Sequence, residues 1–138
     1  MLKPEYCLGL DIHTIVIGLN KTWKQECKLN KIIKQTFVQI PYDEFINKIK
    51  YKAQNEGIEV IVHEEGYTSG TSFLDEELPI KQNYDKSRRL KRGLFQANDT
   101  LINADVNGSL QIMRKVFPNS YTGYGIEVVL TPTIINAA

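Results

Sequence analysis

Apolar residues spaced three and four apart mark the two clearest helices in this chain. In Tyr42 to Glu56, the residues Phe45, Ile46, Ile49 and Ala53 line one face and polar residues fill the other. Asp43 and Glu44 suit the positive amino end of such a helix, and Gly57 suits the position just past its carboxyl end. In Leu101 to Lys115 the same period returns at Val106, Leu110, Met113 and Val116, with Ile112 beside them, and Asp105 sits where that helix begins. Compact β-branched runs behave differently. Thr14 to Leu19 predicts a strand buried on both faces of a parallel sheet, and Ile58 to His63 predicts a second. Strand, helix, strand across Thr14 to His63 is the order of a β-α-β crossover, which makes parallel pairing the expectation.

The remaining segments are less periodic. LGLDI, Leu8 to Ile12, reads as a short buried strand, and Thr36 to Ile40 as a short extended piece ended by Pro41. Gly66 to Leu101 has no clear period, but Asn98-Asp99 predicts a turn between two short strands. Pro118 to Ala138 reads as a loosely packed extension. The expected class is α/β.

A length of 138 residues suits one domain with a real core, and 42% hydrophobic with 24% charged residues is ordinary for a soluble globular chain. No apolar run has the length of a membrane span and no basic-then-apolar leader is visible, so a cytoplasmic protein without membrane contact is expected. Cys7 and Cys27 belong to no CxxC pair; they predict buried free thiols rather than a disulfide framework or a zinc site. The net charge of +1 hides a segregation. Lys21 to Lys34 carries five lysines against Glu26, and Lys81 to Arg92 carries six basic residues against Asp85. Between them, Glu56 to Glu77 holds seven carboxylates and no Lys or Arg. Two basic blocks around an acidic one suit a polyanion partner near a cation-binding centre, where single runs would be solvated faces.

Glu64, Glu65 and Asp105 are the carboxylates placed as a site requires, at the end of a strand and the start of a helix. Hard oxygen ligands of this kind suit Mg²⁺, which keeps several waters and needs few protein ligands. Asp105 has a second reading as a helix N-cap. Alternation along the strand lets only one of the two glutamates face the site. His63 reads as a polar edge residue or a ligand, and Trp23 and Tyr67 as packing residues or stacking platforms.

Three blocks then carry a family resemblance: TIVIGLNKTWKQE with FVQIP; VIVHEEGYTSGTSFLDEELP; and KRGLF followed by INADVNGSLQIMRK. In order and spacing, from about Ile12 to Lys115, the chain resembles the C-terminal part of TnpB (OrfB) proteins encoded by insertion sequences. The resemblance implies a partial RNase H-like (RuvC-type) fold and a DNA endonuclease dependent on Mg²⁺ or Mn²⁺, directed by a guide RNA from the transposon end. Three acids hold the metals in that family. The last falls on Asp105; the middle one is expected at Glu65, with Glu64 as the alternative, because Gly18 stands where most relatives carry a Glu.

The strand bearing the first acid has no counterpart here, and Asp11 is not expected to replace it. Residues 1–138 are therefore expected to form the C-terminal part of a RuvC-like domain, inactive alone, with a non-catalytic nucleic-acid-binding remnant as the alternative. Residues 66–101 stand in place of the family's zinc ribbon. SGTSFLD and RGLFQAND replace its CxxC pairs, so zinc is not expected and packing of Phe73, Leu74, Leu94 and Phe95 must hold the segment. Lys86, Arg88, Arg89, Lys91 and Arg92 are expected to contact phosphates.

Overall fold

The structure, a computed structural model, describes residues 9–20 and 42–119. Its elements are β1 (Thr14–Leu19), α1 (Tyr42–Asn55), β2 (Glu59–Glu64), 3₁₀ turns at Lys81–Asn83 and Lys86–Arg88, β3 (Arg89–Lys91), β4 (Leu94–Gln96), β5 (Leu101–Asn103) and α2 (Ala104–Val116). The described residues fall into two compact units that divide after Val62. Trp23, the Lys21 to Lys34 block, Thr36 to Ile40, both cysteines and nearly all of the extension expected over 118–138 lie outside the described residues.

In the first unit β1 and β2 are hydrogen-bonded neighbours. The Glu59 N–H at the start of β2 donates to the His13 carbonyl just before β1 (2.9 Å). Start lies beside start, so the strands run the same way, as the β-α-β order predicts. α1 buries Ile46 and Ala53 as its period requires, but Phe45 is 48% exposed and drops out of the expected face. Its end is a Schellman motif. Gly57, at φ +70°, donates to Gln54, and Ile58 donates to Ala53 (3.1 and 2.9 Å). The accompanying apolar contact is also present: Ala53 and Ile58 share a small core with Ile12, Ile15 and Val60. Two expectations need correction. β1 is half-buried along its length rather than sealed on both faces. The LGLDI stretch is no buried strand; from Gly9 to Asp11 it is an exposed turn, with Asp11 at φ +56° and paired with His13 (3.2 Å).

The second unit is built on an antiparallel sheet in the order β3-β4-β5. Phe95 of β4 stands opposite Ile102 of β5 and Arg89 of β3. Gly93, at φ +77°, turns β3 into β4, a conformation that glycine adopts without steric cost. The expected Asn98-Asp99 turn is closed by an Ala97 N–H to Thr100 carbonyl bond (3.0 Å). Phe73, Phe95, Ala97, Ile102, Ala104 and Leu110 form the core, with Leu74 and Val106 packed against it.

β5 passes directly into α2, and the cap is Asn103, not Asp105. The Asn103 side chain accepts from the N–H groups of Asp105 and Val106 (2.9 and 3.0 Å). Asn103→Ala is expected to destabilise the unit by about 1 kcal/mol, read by urea unfolding, because two helix-end donors lose their acceptor.

The buried stripe of α2 is also not the apolar one its period suggested. Of Val106, Leu110, Ile112, Met113 and Val116 only Leu110 is fully buried. Asn107, Gln111 and Arg114 occupy the buried positions instead, four and three residues apart. They hold the chain that runs from Thr71 to Glu77 by its backbone. Asn107 accepts from the Phe73 N–H (2.8 Å) and donates to the Thr71 carbonyl (2.9 Å). Gln111 donates to the Thr71 hydroxyl and the Glu77 carbonyl (both 3.0 Å). Arg114 donates to the carbonyls of Glu77 (3.1 Å) and Phe73 (3.2 Å) and lies over the Phe73 ring. A loop without regular structure still has its buried polar groups satisfied, which is the condition for burying it at all.

Candidate nucleic-acid and metal site

The three carboxylates singled out in the sequence have different surroundings. Glu64, the last residue of β2, is bound to α2: Lys115 donates to its carboxylate (3.0 Å) and its carbonyl (3.2 Å), and the Gly66 N–H donates to the same carboxylate. The hydrogen bond from Lys115 is the main reason the Glu64 carboxyl is held below its usual pKa. α2 rises about 1.5 Å per residue, so Lys115 lies about 15 Å along the axis from Asp105. Glu64 is thus tied to the carboxyl end of the helix that carries Asp105 on its first turn.

Glu65 is half-buried, and its carbonyl accepts from the Thr68 N–H (3.3 Å) and hydroxyl (2.8 Å), which fixes the turn that follows. Among the described residues its carboxylate makes no hydrogen bond. Asp105 is free of capping duty and 81% exposed, with the Arg89 guanidinium 3.6 Å away as a loose, exposed partner. The positive end of α2 favours its negative charge. His63 donates to the Glu64 carbonyl (3.0 Å) at an exposed strand end. Among the described residues no three His, Cys, Asp or Glu side chains gather as a metal-binding group. The donor chemistry nevertheless suits Mg²⁺, which one or two carboxylates and several waters can hold. Glu65 and Asp105 have oxygens to offer; those of Glu64 are already engaged.

The basic block divides in two. Lys86, Arg89, Lys91 and Arg92 are exposed, at the second 3₁₀ turn, along β3 and in the β3–β4 turn. Arg88 faces the other way. Its guanidinium donates to both carboxylate oxygens of Glu77 (2.7 and 2.8 Å), to Asp75 (2.7 Å) and to the Gln96 carbonyl (2.9 Å). It also lies over the Phe95 ring, 5.1 Å from the centroid. An Arg with its donors filled this way and its side chain 15% exposed is a tie within the fold rather than a surface phosphate contact. The two acids have further work: Glu77 accepts from the Ser72 N–H (2.7 Å) and Asp75 from the Asn98 N–H (3.1 Å). The segment expected to be held by apolar packing alone therefore has a second tie, an ion cluster joining SGTSFLD to RGLFQAND.

Sequence reasoning missed Arg88 in this role, and it missed Asn107, Gln111 and Arg114. A signal for the latter three was present. Polar residues at the helical period, on the flank of the apolar stripe, face inward when the neighbouring segment is a loop with backbone groups to satisfy. For Arg88 the only signal was its proximity to an acidic stretch, which did not single it out from Arg89.

No curated protein matches the chain. A family model described as Cas12f1-like, TNB domain, matches residues 42–112, just over half of the chain, from the start of α1 into α2. Glu65, Asp105 and the exposed basic residues all fall inside that match. The chain belongs to the Cas12f1-like TNB domain family, related to the TnpB proteins that its sequence blocks resemble.

Proposed function

We propose that this chain is a nucleic-acid-handling part of a TnpB/OrfB-type protein, contributing Glu65 and Asp105 to a RuvC-like, RNase H-type centre for guide-RNA-directed DNA cleavage. The observation that carries this reading is the family match, which spans both acids and the basic surface. The local structure is compatible with it. Asn103 caps α2, so the Asp105 carboxylate stays open at a helix amino end.

Glu65 and Asp105 would hold Mg²⁺ or Mn²⁺, which when bound supplies Lewis-acid stabilisation and an activated water for phosphodiester hydrolysis. The chain's own residues supply the rest. Lys86, Arg89, Lys91 and Arg92 attract and position the phosphate backbone without reading its sequence. Arg89, loosely paired with Asp105, lies where a phosphate could exchange for that carboxylate. A second reading is a non-catalytic nucleic-acid binder. It is favoured by Lys115 and Arg89, each of which sets a cation beside one of the candidate acids.

Thermal melting in Mg²⁺ or Mn²⁺ separates the two. On the first reading the divalent ion raises the melting temperature of the wild type and not of Asp105→Asn or Glu65→Gln; a cation at a hundred times its Kd adds about 2.7 kcal/mol. On the second, the ion shifts nothing, while DNA or RNA still binds and weakens with salt. Neutralising Lys86, Arg89, Lys91 and Arg92 is expected to flatten that salt dependence, by about 0.9 in the log–log slope for each duplex phosphate that no longer has a cation beside it.

A further inference from the structure

Two half-exposed tyrosines in the second unit meet outside its apolar core. The rings of Tyr67 and Tyr84 are 5.7 Å apart at 70°, an edge-to-face pair, with 44% and 37% of each residue exposed. Both are built in firmly. Tyr84 lies over Gly70, where an added Cβ would come within 2.5 Å of the ring, so only glycine admits this approach. Its backbone is fixed on both sides: its own N–H donates to the Lys81 carbonyl (3.3 Å), and the next N–H, of Asp85, donates to the Gly70 carbonyl (2.9 Å). Tyr67 has a φ of +66°, a region that bulky side chains rarely adopt, and its carbonyl accepts from the Thr71 hydroxyl (2.9 Å). A strained backbone that holds out an aromatic ring, instead of burying it, is the kind of outlier that points to a function.

Among the described residues neither tyrosine hydroxyl makes a hydrogen bond. Lys81 and Lys86 are exposed on either side of Tyr84 in the chain. Asp85 lies between them, but its carboxylate is turned onto the N–H and hydroxyl of Ser87 (2.8 and 2.6 Å).

We propose that Tyr67 and Tyr84 form a stacking platform for an unpaired base of a single-stranded nucleic acid, with Lys81 and Lys86 on its flanking phosphates. The proposal rests on the nucleic-acid reading above and adds which face takes a base rather than a phosphate. Aromatic platforms flanked by cations are sequence-tolerant, because every base has a π-face, and they select single strands, because paired bases are already stacked.

The test uses the full chain and three fluorescent probes: an oligothymidine of about 15 nucleotides, an abasic oligomer of the same length and charge, and a duplex. Fluorescence anisotropy at low salt is expected to show the wild type binding oligothymidine at least fivefold tighter than the abasic strand. Tyr84→Leu and Tyr67→Asn should abolish that ratio and leave abasic and duplex binding unchanged. Asn tolerates positive φ, so Tyr67→Asn keeps the turn, and unchanged abasic and duplex binding shows that its loss of base binding is not misfolding. Variants that keep the wild-type ratio, or a wild type that binds the oligothymidine and abasic strands equally, overturn the platform and leave the basic surface standing. A wild type that binds none of the probes overturns the nucleic-acid reading as well.

Discussion

Arg88→Ala is expected to destabilise the second unit by about 3 kcal/mol, with a fall in melting temperature on the order of 10 °C. The substitution removes one side chain and leaves two carboxylates behind, Asp75 and Glu77, with side chains only 16% and 26% exposed. Removing one partner from a buried ionic cluster costs about 3–5 kcal/mol, and the residual exposure of the two acids sets the lower end. Arg88→Lys should fall between, because an ammonium keeps the charge but cannot bridge Glu77, Asp75 and the Gln96 carbonyl at once. Replacing all three charged residues with leucines should not restore stability. The N–H groups of Ser72 and Asn98 would then lose the acceptors that Glu77 and Asp75 provide.

The pH dependence follows from Asp75. Burial disfavours its charged form, but hydrogen bonds from Ser72, the Asn98 N–H and Arg88 outweigh that and hold its carboxyl below the usual range. A carboxyl depressed in the folded state contributes stability that is present above its unfolded pKa, about 3.9, and is lost as pH falls through the folded value. Urea unfolding of wild type and Arg88→Ala should therefore differ fully at neutral pH, and the gap should narrow below about pH 4. A gap that stayed constant into acid would show that the guanidinium acts through contacts that do not titrate, the Gln96 carbonyl and the Phe95 ring.

Asn107→Ala is expected to cost about 2–6 kcal/mol, measured in the same way. Asn107 is wholly buried, and its amide satisfies the Phe73 N–H and the Thr71 carbonyl. Alanine leaves one buried donor and one buried acceptor without partners, at about 1–3 kcal/mol each. Asn107→Leu is the sharper comparison. It has the same branched heavy-atom skeleton and higher hydrophobicity, so a purely apolar account of the core predicts a gain, while the hydrogen-bond account predicts a loss at least that of alanine.

Much of the frame was legible in the sequence because its signals are local. The period of α1, Gly57 at its end, the Asn98-Asp99 turn and the start of α2 each depend on residues within a few positions of one another. What escaped depends on partners far along the chain. Asn107 meets Thr71 and Phe73, and Arg88 meets Asp75 and Gln96, pairings that no periodicity encodes. Phe45 shows the limit from the other side, since a residue on the right face of a helix is buried only if something covers it. The cap of α2 was misassigned by two residues because Asn103 and Asp105 are both good cap residues, and only geometry chooses between them. For the candidate site, Glu65 and Asp105 could be read from the resemblance as candidates. That Glu64 is engaged by Lys115 could not, because the lysine is 51 residues away.

The Arg88 cluster also alters what the region between Glu64 and α2 depends on. A ribbon folded around four thiolates unfolds when its metal is chelated or its sulfurs are oxidised. From residue 42 to 119 this chain contains no cysteine. Its cross-links among the described residues are guanidinium, carboxylate and amide groups, none of which undergoes thiol redox chemistry.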